Sequence, residues 1–179
     1  YLCTLINQKY DMPQSLHIAI IGGGAAGFFA AIEAKRNFPH ADITIFEKNS
    51  KVLAKVKITG GGRCNLTNSF DEISDLKQAY PRGHKLMKRL FKRFDYQHAF
   101  DWFEENGVPL VTQEDQCVFP QSQDSHSIID CLVNTAKRLG VKIQCNHQLT
   151  AITELEDERL LLDFKISKEK GNLSGASSA

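Results

Sequence analysis

The stretch HIAIIGGGAAGFFAAIEAKRN, residues 17–37, decides the fold of this 179-residue chain. A β-branched apolar run ends directly in glycines, and the residues after them are rich in Ala and include Ile32 and Glu33, as in a helix with one buried face. The pattern predicts strand, tight turn and helix. In that context Gly22 permits the turn, Gly24 lets backbone approach a pyrophosphate, and Gly27 lets the helix pack closely on the strand.

Two further features complete a predicted dinucleotide site. The free N–H groups of the first helical turn and the aligned peptide dipoles favour an anion at that end of the helix. A second predicted strand, residues 42–46, ends in Glu47, 20 residues after Gly27. A carboxylate there accepts hydrogen bonds from ribose hydroxyls and repels a 2′-phosphate, so the site is predicted to take FAD or NAD rather than NADP.

A second glycine cluster, TGGGRCNLTN, occupies residues 59–68. It is not a Walker phosphate loop, because no Gly-Lys-Ser/Thr follows the glycines. Successive glycines let backbone N–H groups line a concave surface. Arg63 adds a positively charged guanidinium group, and Asn65 adds a hydrogen-bond donor and a hydrogen-bond acceptor. The alternative is a flexible surface loop.

The composition is that of a globular protein with balanced charge. Lys and Arg number 22 against 21 Asp and Glu, and 42% of residues are hydrophobic. These values favour neither a nucleic-acid nor a membrane partner, and we expect no transmembrane helix or signal peptide. The five cysteines are widely spaced without a C-x-x-C pair, so we expect no zinc site or disulfide framework and a cytoplasmic location.

The rest of the chain continues as helices and strands. The predicted elements are a helix at 99–105 ended by Asn106 and Gly107, a strand at 108–112, a helix at 127–139, a strand at 141–145, and an antiparallel hairpin at 149–155 and 160–166. The helix at 127–139 and the strand after it predict another unit of the same parallel sheet.

At the second glycine cluster the chain resembles a known family. These are the bacterial NAD(P)/FAD-dependent oxidoreductases of the aminoacetone oxidase and BaiN type, whose basic and apolar run into Ser-Gly-Gly-Gly-Arg-Cys-Asn and Thr-Asn is matched by residues 55–68. The resemblance covers residues 16–166. Family members are about twice as long, so we expect the N-terminal part of such an enzyme. One departure is Gln116-Cys117, where the family usually has Gly-Arg.

The resemblance implies a set of FAD-binding residues. At the pyrophosphate it places Gly22, Gly24, Ala25, Ala26 and Gly27, and at the adenosine ribose Glu47 and Lys48. On the flavin side it places Lys55, Gly61, Gly62, Arg63, Cys64 and Asn65. Leu149 would meet the adenine through its backbone. The resemblance implies hydride transfer through FAD between a small-molecule substrate or NAD(P)H and the flavin, and it leaves catalytic residues, substrate and oligomeric state open.

Other features have simpler interpretations. Residues 82–94 are basic and amphipathic, and we expect a solvated basic face over a packed stripe of Leu86, Leu90, Phe91 and Phe94 rather than a lipid or nucleic-acid site. Cys64 could gain thiolate character beside Arg63, but a packing role is favoured. The histidines lack metal-binding spacing.

The sequence therefore predicts an α/β fold, a three-layer Rossmann-like FAD/NAD(P)-binding domain of the glutathione-reductase type, incomplete in this chain. Residues 1–15 are predicted to be an N-terminal extension, 16–167 the FAD-binding domain, and 168–179 a flexible tail or linker. Two other functions remain open at this point. One is a NAD-dependent dehydrogenase half, and the other is a non-catalytic nucleotide-binding or nucleic-acid-docking module.

Overall fold

The computed structural model describes residues 16–156 and 159–167. The predicted N-terminal extension and the predicted tail lie outside the described residues. The central sheet is parallel, in the order β1 (His17–Ile21), β2 (Asp42–Phe46) and β6 (Lys142–Gln144). The helix α1 (Ala25–Asn37) crosses from β1 to β2. The predicted first strand, turn, helix and second strand are therefore confirmed to the residue.

Helices cover one face of this sheet. The alternate residues Ile43 and Ile45 of β2 are fully buried against α1, whose Phe28 and Ile32 are also fully buried. The second helix on this face is α6 (His126–Arg138), and its Leu132 joins the same core. Burial of such side chains contributes about 1.5 to 3 kcal/mol each, so this layer provides much of the driving force for folding.

A hairpin covers the other face and makes the third layer. Its strands are β7 (His147–Glu154) and β8 (Leu160–Ile166), which pair antiparallel as predicted. Phe46 points away from the α1 side of the sheet and stacks on Phe164 with ring centroids 4.4 Å apart. This contact joins the hairpin to the end of β2, so the predicted three-layer architecture is confirmed.

A second, small antiparallel sheet lies outside the central one and was not predicted. Its order is β3 (Thr67–Asn68), β5 (Cys117–Pro120) and β4 (Leu110–Thr112). Only β4 had a counterpart in the sequence analysis, and it begins two residues later than expected. Strands of two to four residues carry too little periodicity to be recognised in a sequence.

The remaining helices are mostly short. They are α2 (Ala54–Ile58), α3 (Leu76–Ala79), α4 (His84–Leu90) and α5 (Tyr96–Glu105). The helix α5 begins earlier than predicted because Asp95 accepts the His98 N–H at 3.1 Å and forms a capping box with His98. It ends at Asn106 and Gly107, as predicted.

The basic segment 82–94 corrects one expectation. Its helix is α4, and backbone bonds continue the helical path to Phe94. Phe91 packs on Phe70 with ring centroids 5.9 Å apart, but Leu86 is 50% exposed and Leu90 48%. The expectation of a packed apolar stripe is therefore wrong for these two leucines, because the described elements leave about half of each side chain exposed.

Candidate functional site

The turn between β1 and α1 has the geometry of a phosphate cradle. Gly22 has φ +107° and donates its N–H to the Phe46 carbonyl at 2.8 Å. The first bond of α1 runs from the Phe28 N–H to the Gly24 carbonyl at 3.0 Å, so the amides of Ala25 and Ala26 precede the helical ladder. A Cβ added at Gly24 would meet nothing within 4 Å. Space for a ligand therefore lies directly against Gly24 and the amides of the first helical turn.

Gly27 has a different role from Gly24. A Cβ at Gly27 would lie 2.0 Å from the Gly22 carbonyl oxygen and 3.4 Å from a methyl group of Ile20. The predicted close packing of helix on strand is confirmed. Gly27 allows α1 to pack against the Gly22 carbonyl and Ile20, whereas Gly24 faces open space.

Glu47 connects the end of β2 to the glycine turn. One carboxylate oxygen accepts the Gly23 N–H at 2.8 Å, and the other accepts the backbone N–H of Asn49 at 2.8 Å and its side-chain amide at 2.7 Å. Burial raises the pKa of Glu47, but these donors and the charge of Lys48 outweigh it and hold the pKa below its usual range. Glu47 is therefore ionised at neutral pH, with lone pairs left for ribose hydroxyls.

The depressed pKa of Glu47 predicts a pH-dependent contribution to stability. We expect Glu47→Gln to lower the free energy of unfolding by about 1 to 3 kcal/mol at pH 7, because an amide NH₂ would face an N–H donor. Since the folded pKa lies below the unfolded value of about 4.3, the carboxylate's contribution is present above that pH and is lost as pH falls through the folded pKa. Urea unfolding of both proteins across this range should show their difference shrinking in acid. A constant difference would contradict an ionised Glu47.

The other residues predicted for the adenosine lie near this carboxylate. Lys48 is exposed next to Glu47. The His147 N–H at the start of β7 donates to the Glu47 carbonyl at 2.9 Å, and Leu149 follows two residues later, opposite Phe164. The adenine role of Leu149 stays a prediction, but its strand starts at the expected end of β2.

The second glycine cluster follows α2 as a tight turn rather than a flexible loop. Gly60, Gly61 and Gly62 have φ of +58°, +69° and +88°, the left-handed region that favours glycine. A Cβ at Gly60 would lie 2.7 Å from the Asn65 backbone nitrogen, whereas one at Gly61 would meet nothing within 4 Å. The turn thus requires glycine where it folds back on itself.

The turn is anchored on both sides. The Gly62 carbonyl accepts the N–H of Ser125 at 2.9 Å, and the buried Ser125 hydroxyl donates to the Lys57 carbonyl at 3.0 Å. The Arg63 guanidinium lies 4.2 Å from the centre of the Phe119 ring, and its Nε donates to the Gly60 carbonyl at 3.2 Å. In this structure Arg63 braces the turn against β5. Its predicted contact with flavin stays a prediction.

A cavity of about 520 Å³ joins the two glycine clusters. It brings together five predicted site residues, Ala25, Ala26, Lys55, Cys64 and Asn65. Gly22, Gly24 and Glu47 belong to the glycine turn at its edge. The predicted residues Gly61, Gly62 and Arg63 of the second turn, and Lys48 and Leu149 near Glu47, are not among the residues that line the cavity. A ligand reaching from Glu47 past Gly24 into the cavity would have the extended shape of a dinucleotide.

The sequence analysis missed the apolar wall of this cavity. Its members come from four helices and from the two connecting segments before β3 and before α5, namely Phe29, Val56, Leu66, Phe94, Ala99, Phe103, Ile128 and Leu132. Thr59 adds a hydroxyl to the rim. Such residues look like ordinary core positions in a sequence, and only the fold shows that they leave space between them. Gly23 was missed as well, although its N–H fixes Glu47.

Cys64 packs into the protein rather than presenting a thiolate. Its side chain is buried, and burial raises the pKa of the thiol to about 11. The favoured packing role is therefore confirmed, and activation by Arg63 is not. The described cysteines Cys64, Cys117, Cys131 and Cys145 are all free.

Comparison with known proteins identifies the family. The family model of the HI0933-like protein Rossmann domain matches residues 16–176. The chain belongs to this family. The match confirms the predicted resemblance and the Rossmann-type fold, and with it FAD as the cofactor of that fold.

Two curated relatives of this chain are named as different enzymes. The chain is 31% identical over 135 residues to the 3-dehydro-bile acid delta(4,6)-reductase of Clostridium scindens, a match that covers 75% of the chain and 32% of that protein. It is 24% identical over 147 residues to a ribosomal RNA dihydrouridine synthase of Haemophilus influenzae, covering 82% of the chain and 35% of that protein. The chain thus spans about a third of the length of these relatives.

Solved structures support the fold. The 3-ketosteroid-delta4-(5alpha)-dehydrogenase of Rhodococcus jostii RHA1 aligns with a TM-score of 0.62 at 16% identity, covering 92% of this chain and 44% of that one. THI4 of Thermovibrio ammonificans aligns with a TM-score of 0.55 at 11% identity, covering 86% and 48%. At these identities the likeness concerns the fold alone.

None of the described helices is long and apolar enough to cross a membrane. Within residues 16–156 and 159–167, no three His, Cys, Asp or Glu side chains are grouped to hold a metal ion. A second cavity, of about 590 Å³, lies between the end of α5 and α6 and is lined by residues such as Asp130, Asn134 and Arg138, none of which was predicted for the FAD site.

Proposed function

We propose that this chain is the FAD-binding part of a flavin-dependent oxidoreductase that adds hydrogen across a carbon–carbon double bond. The observation that carries the proposal is the open space at Gly24, directly before Ala25 and Ala26, which line the cavity between the glycine clusters. An anion at Gly24 would meet the amides of the first helical turn, and Glu47 would hold a ribose. Bound FAD supplies reversible hydride transfer, and this chain supplies position and electrostatics.

The residues present fit FAD in charge as well as in shape. The pyrophosphate needs an anion-binding turn, and the cradle provides backbone N–H groups without a basic side chain. The apolar wall of the cavity suits a ring system, and Lys55 and Asn65 at its rim offer hydrogen-bond donors. A NAD-dependent dehydrogenase half gives no reason for the second glycine turn, so FAD is favoured over that alternative.

The type of reaction is suggested by the names of the two curated relatives. A delta(4,6)-reductase and a dihydrouridine synthase both add hydrogen across a carbon–carbon double bond, in a steroid and in a uracil base respectively. We therefore propose a substrate with such a bond, reduced at the expense of NAD(P)H. We further propose a bacterial, cytoplasmic enzyme, which the free described cysteines support.

The substrate has two candidate sizes. A small molecule, as predicted from the sequence, suits the apolar lining of the cavity. An RNA base is the second candidate, favoured by the exposed basic face of residues 82–94 next to Phe94, which lines the cavity. A base taken out of its stack would enter the same space as a small molecule.

The test uses the protein in the form that its gene encodes, reconstituted with FAD. The flavin is reduced anaerobically with dithionite and mixed with a 3-oxo-delta-4 steroid, a uridine-containing ribosomal RNA fragment, or the saturated steroid as control. We expect the return of oxidised-flavin absorbance to be faster with one unsaturated substrate than for free reduced FAD. Equal rates for protein-bound and free flavin with all three compounds would contradict the proposed reaction.

A further inference from the structure

The positive charge of this chain is concentrated on one segment. Seven of the 22 Lys and Arg residues fall within residues 76–94, which contain no Asp or Glu. Four of them follow the helical path of α4 at positions i, i+3, i+4 and i+7, a spacing that places them on one face. We call this face the cation stripe; it consists of Lys85, Lys88, Arg89 and Lys92.

The cation stripe is not neutralised by the described part of the protein. All four side chains belong to exposed residues, and no ion pair among residues 16–156 and 159–167 includes them. The acidic residues that flank the segment are occupied as helix caps. Asp75 accepts the Lys77 N–H at 3.0 Å, and Asp95 accepts the His98 N–H at 3.1 Å.

Such an arrangement works against the stability of the helix. Like charges three and four residues apart repel each other and destabilise a helix, more so where no acidic side chain intervenes. A fold that keeps four such charges side by side is suited to an external polyanion, which removes the repulsion when it binds. Binding of this kind releases counterions from the polyanion and is therefore strongly salt-dependent.

We propose that the cation stripe docks the phosphate backbone of structured RNA. The choice of RNA among polyanions rests on the second substrate candidate of the proposed function. Phe94, two residues after Lys92, lines the cavity between the glycine clusters. RNA held on the stripe therefore contacts the same segment that contributes Phe94 to the cavity wall.

This inference replaces the expectation that no nucleic acid binds. That expectation rested on balanced overall charge and on a packed apolar stripe beneath the basic face. The structure leaves Leu86 and Leu90 half exposed, and the charge is balanced only because the acidic residues lie elsewhere in the chain. Neither the balanced charge nor the packed apolar stripe therefore applies to residues 76–94.

The geometry favours RNA over an anionic membrane. At 100° per residue, Leu86 and Leu90 lie on the side of α4 away from the centre of the cation stripe. Basic residues opposite an apolar side also occur in helices that lie on membranes, but two turns of helix with two half-exposed leucines offer little apolar area for such binding.

The test measures binding of a fluorescently labelled RNA hairpin at several salt concentrations. The variant changes all four stripe residues to Gln, and the control changes four exposed lysines elsewhere, Lys51, Lys137, Lys142 and Lys165, to Gln, so that net charge falls equally. We expect the stripe variant to bind at least about tenfold more weakly at low salt and to lose about three units of the slope of log K against log salt. The control should keep both values near those of the wild type.

Parallel measurements make each outcome decisive. Circular dichroism verifies folding of both variants, and single Lys88→Gln and Arg89→Gln changes give graded effects if the quadruple variant is unfolded. Equal losses in both quadruple variants, no loss in either, or binding only to vesicles of phosphatidylcholine and phosphatidylglycerol would overturn the inference. Binding is measured with and without FAD. Absence of RNA binding by wild-type protein that binds FAD refutes only this inference, and absence of FAD binding by wild-type protein that binds RNA through the stripe refutes only the proposed function.

Discussion

Replacement of Gly24 by valine is expected to abolish FAD binding while the protein stays folded. Gly24 has φ −88° and ψ −178°, extended values that valine also adopts, and its Cβ position is open. The free energy of unfolding should therefore change by less than about 1 kcal/mol. The new side chain would occupy the space where a pyrophosphate must approach the first turn of α1.

Circular dichroism and an FAD titration separate the two effects of this change. The matched control is Ala30→Val, which places the same side chain at an exposed position further along α1. It should bind FAD like the wild type. If the Gly24 variant also bound FAD normally, the pyrophosphate would have to lie elsewhere.

Replacement of Gly27 by alanine is expected to do the opposite and damage the fold itself. Helix propensity alone would favour alanine by about 1 kcal/mol. The added Cβ, however, would lie 2.0 Å from the Gly22 carbonyl oxygen, so backbone must move and the turn must open. We expect a net loss of about 3 kcal/mol in the free energy of unfolding.

Urea unfolding measures this loss, and Gly24→Ala serves as control because its Cβ meets open space. The control should stay within about 0.5 kcal/mol of the wild type. A Gly27 variant as stable as the wild type would show that the helix and strand do not need a glycine where they meet.

The order of the central elements could be predicted because it depends on local patterns. The glycines after β1, the alternation in β2 and the helical spacing from Ile128 to Leu139 each act within about a dozen residues. Their parallel pairing then follows from the rule that a strand, a crossover helix and a second strand share one sheet. The structure departs from these predictions by only one or two residues at the ends of α6 and β6.

The second sheet and the exposed side of α4 could not be predicted. The pairing of Thr67 with Val118 joins segments far apart in sequence through strands too short to show a period. The helical spacing of Leu86 and Leu90 indicates an apolar side but not whether another element covers it. Both features depend on tertiary contacts that a single sequence does not contain.

The candidate site was predictable at positions where the backbone conformation requires glycine, and at the acidic residue that follows the second strand of a dinucleotide-binding fold. Gly22 and Glu47 are residues of this kind. The cavity wall was not predictable, because Phe29 and Phe103 have the same pattern as any core residue. Arg63 was expected at the ligand, yet its guanidinium lies on Phe119, a partner distant in sequence. Its predicted contact with the flavin stays a prediction.

The central claim is that this chain binds FAD across Glu47, Gly24 and the cavity. The chain's one tryptophan, Trp102, lies with its ring 5.1 Å from that of Phe29, which lines the cavity, so its fluorescence reports on occupancy. A titration with FAD should give saturable quenching at one FAD per chain, weakened about tenfold by Glu47→Gln and absent in Gly24→Val. Absence of saturable FAD binding by the folded wild-type protein, or equal binding by all three proteins, would contradict the claim.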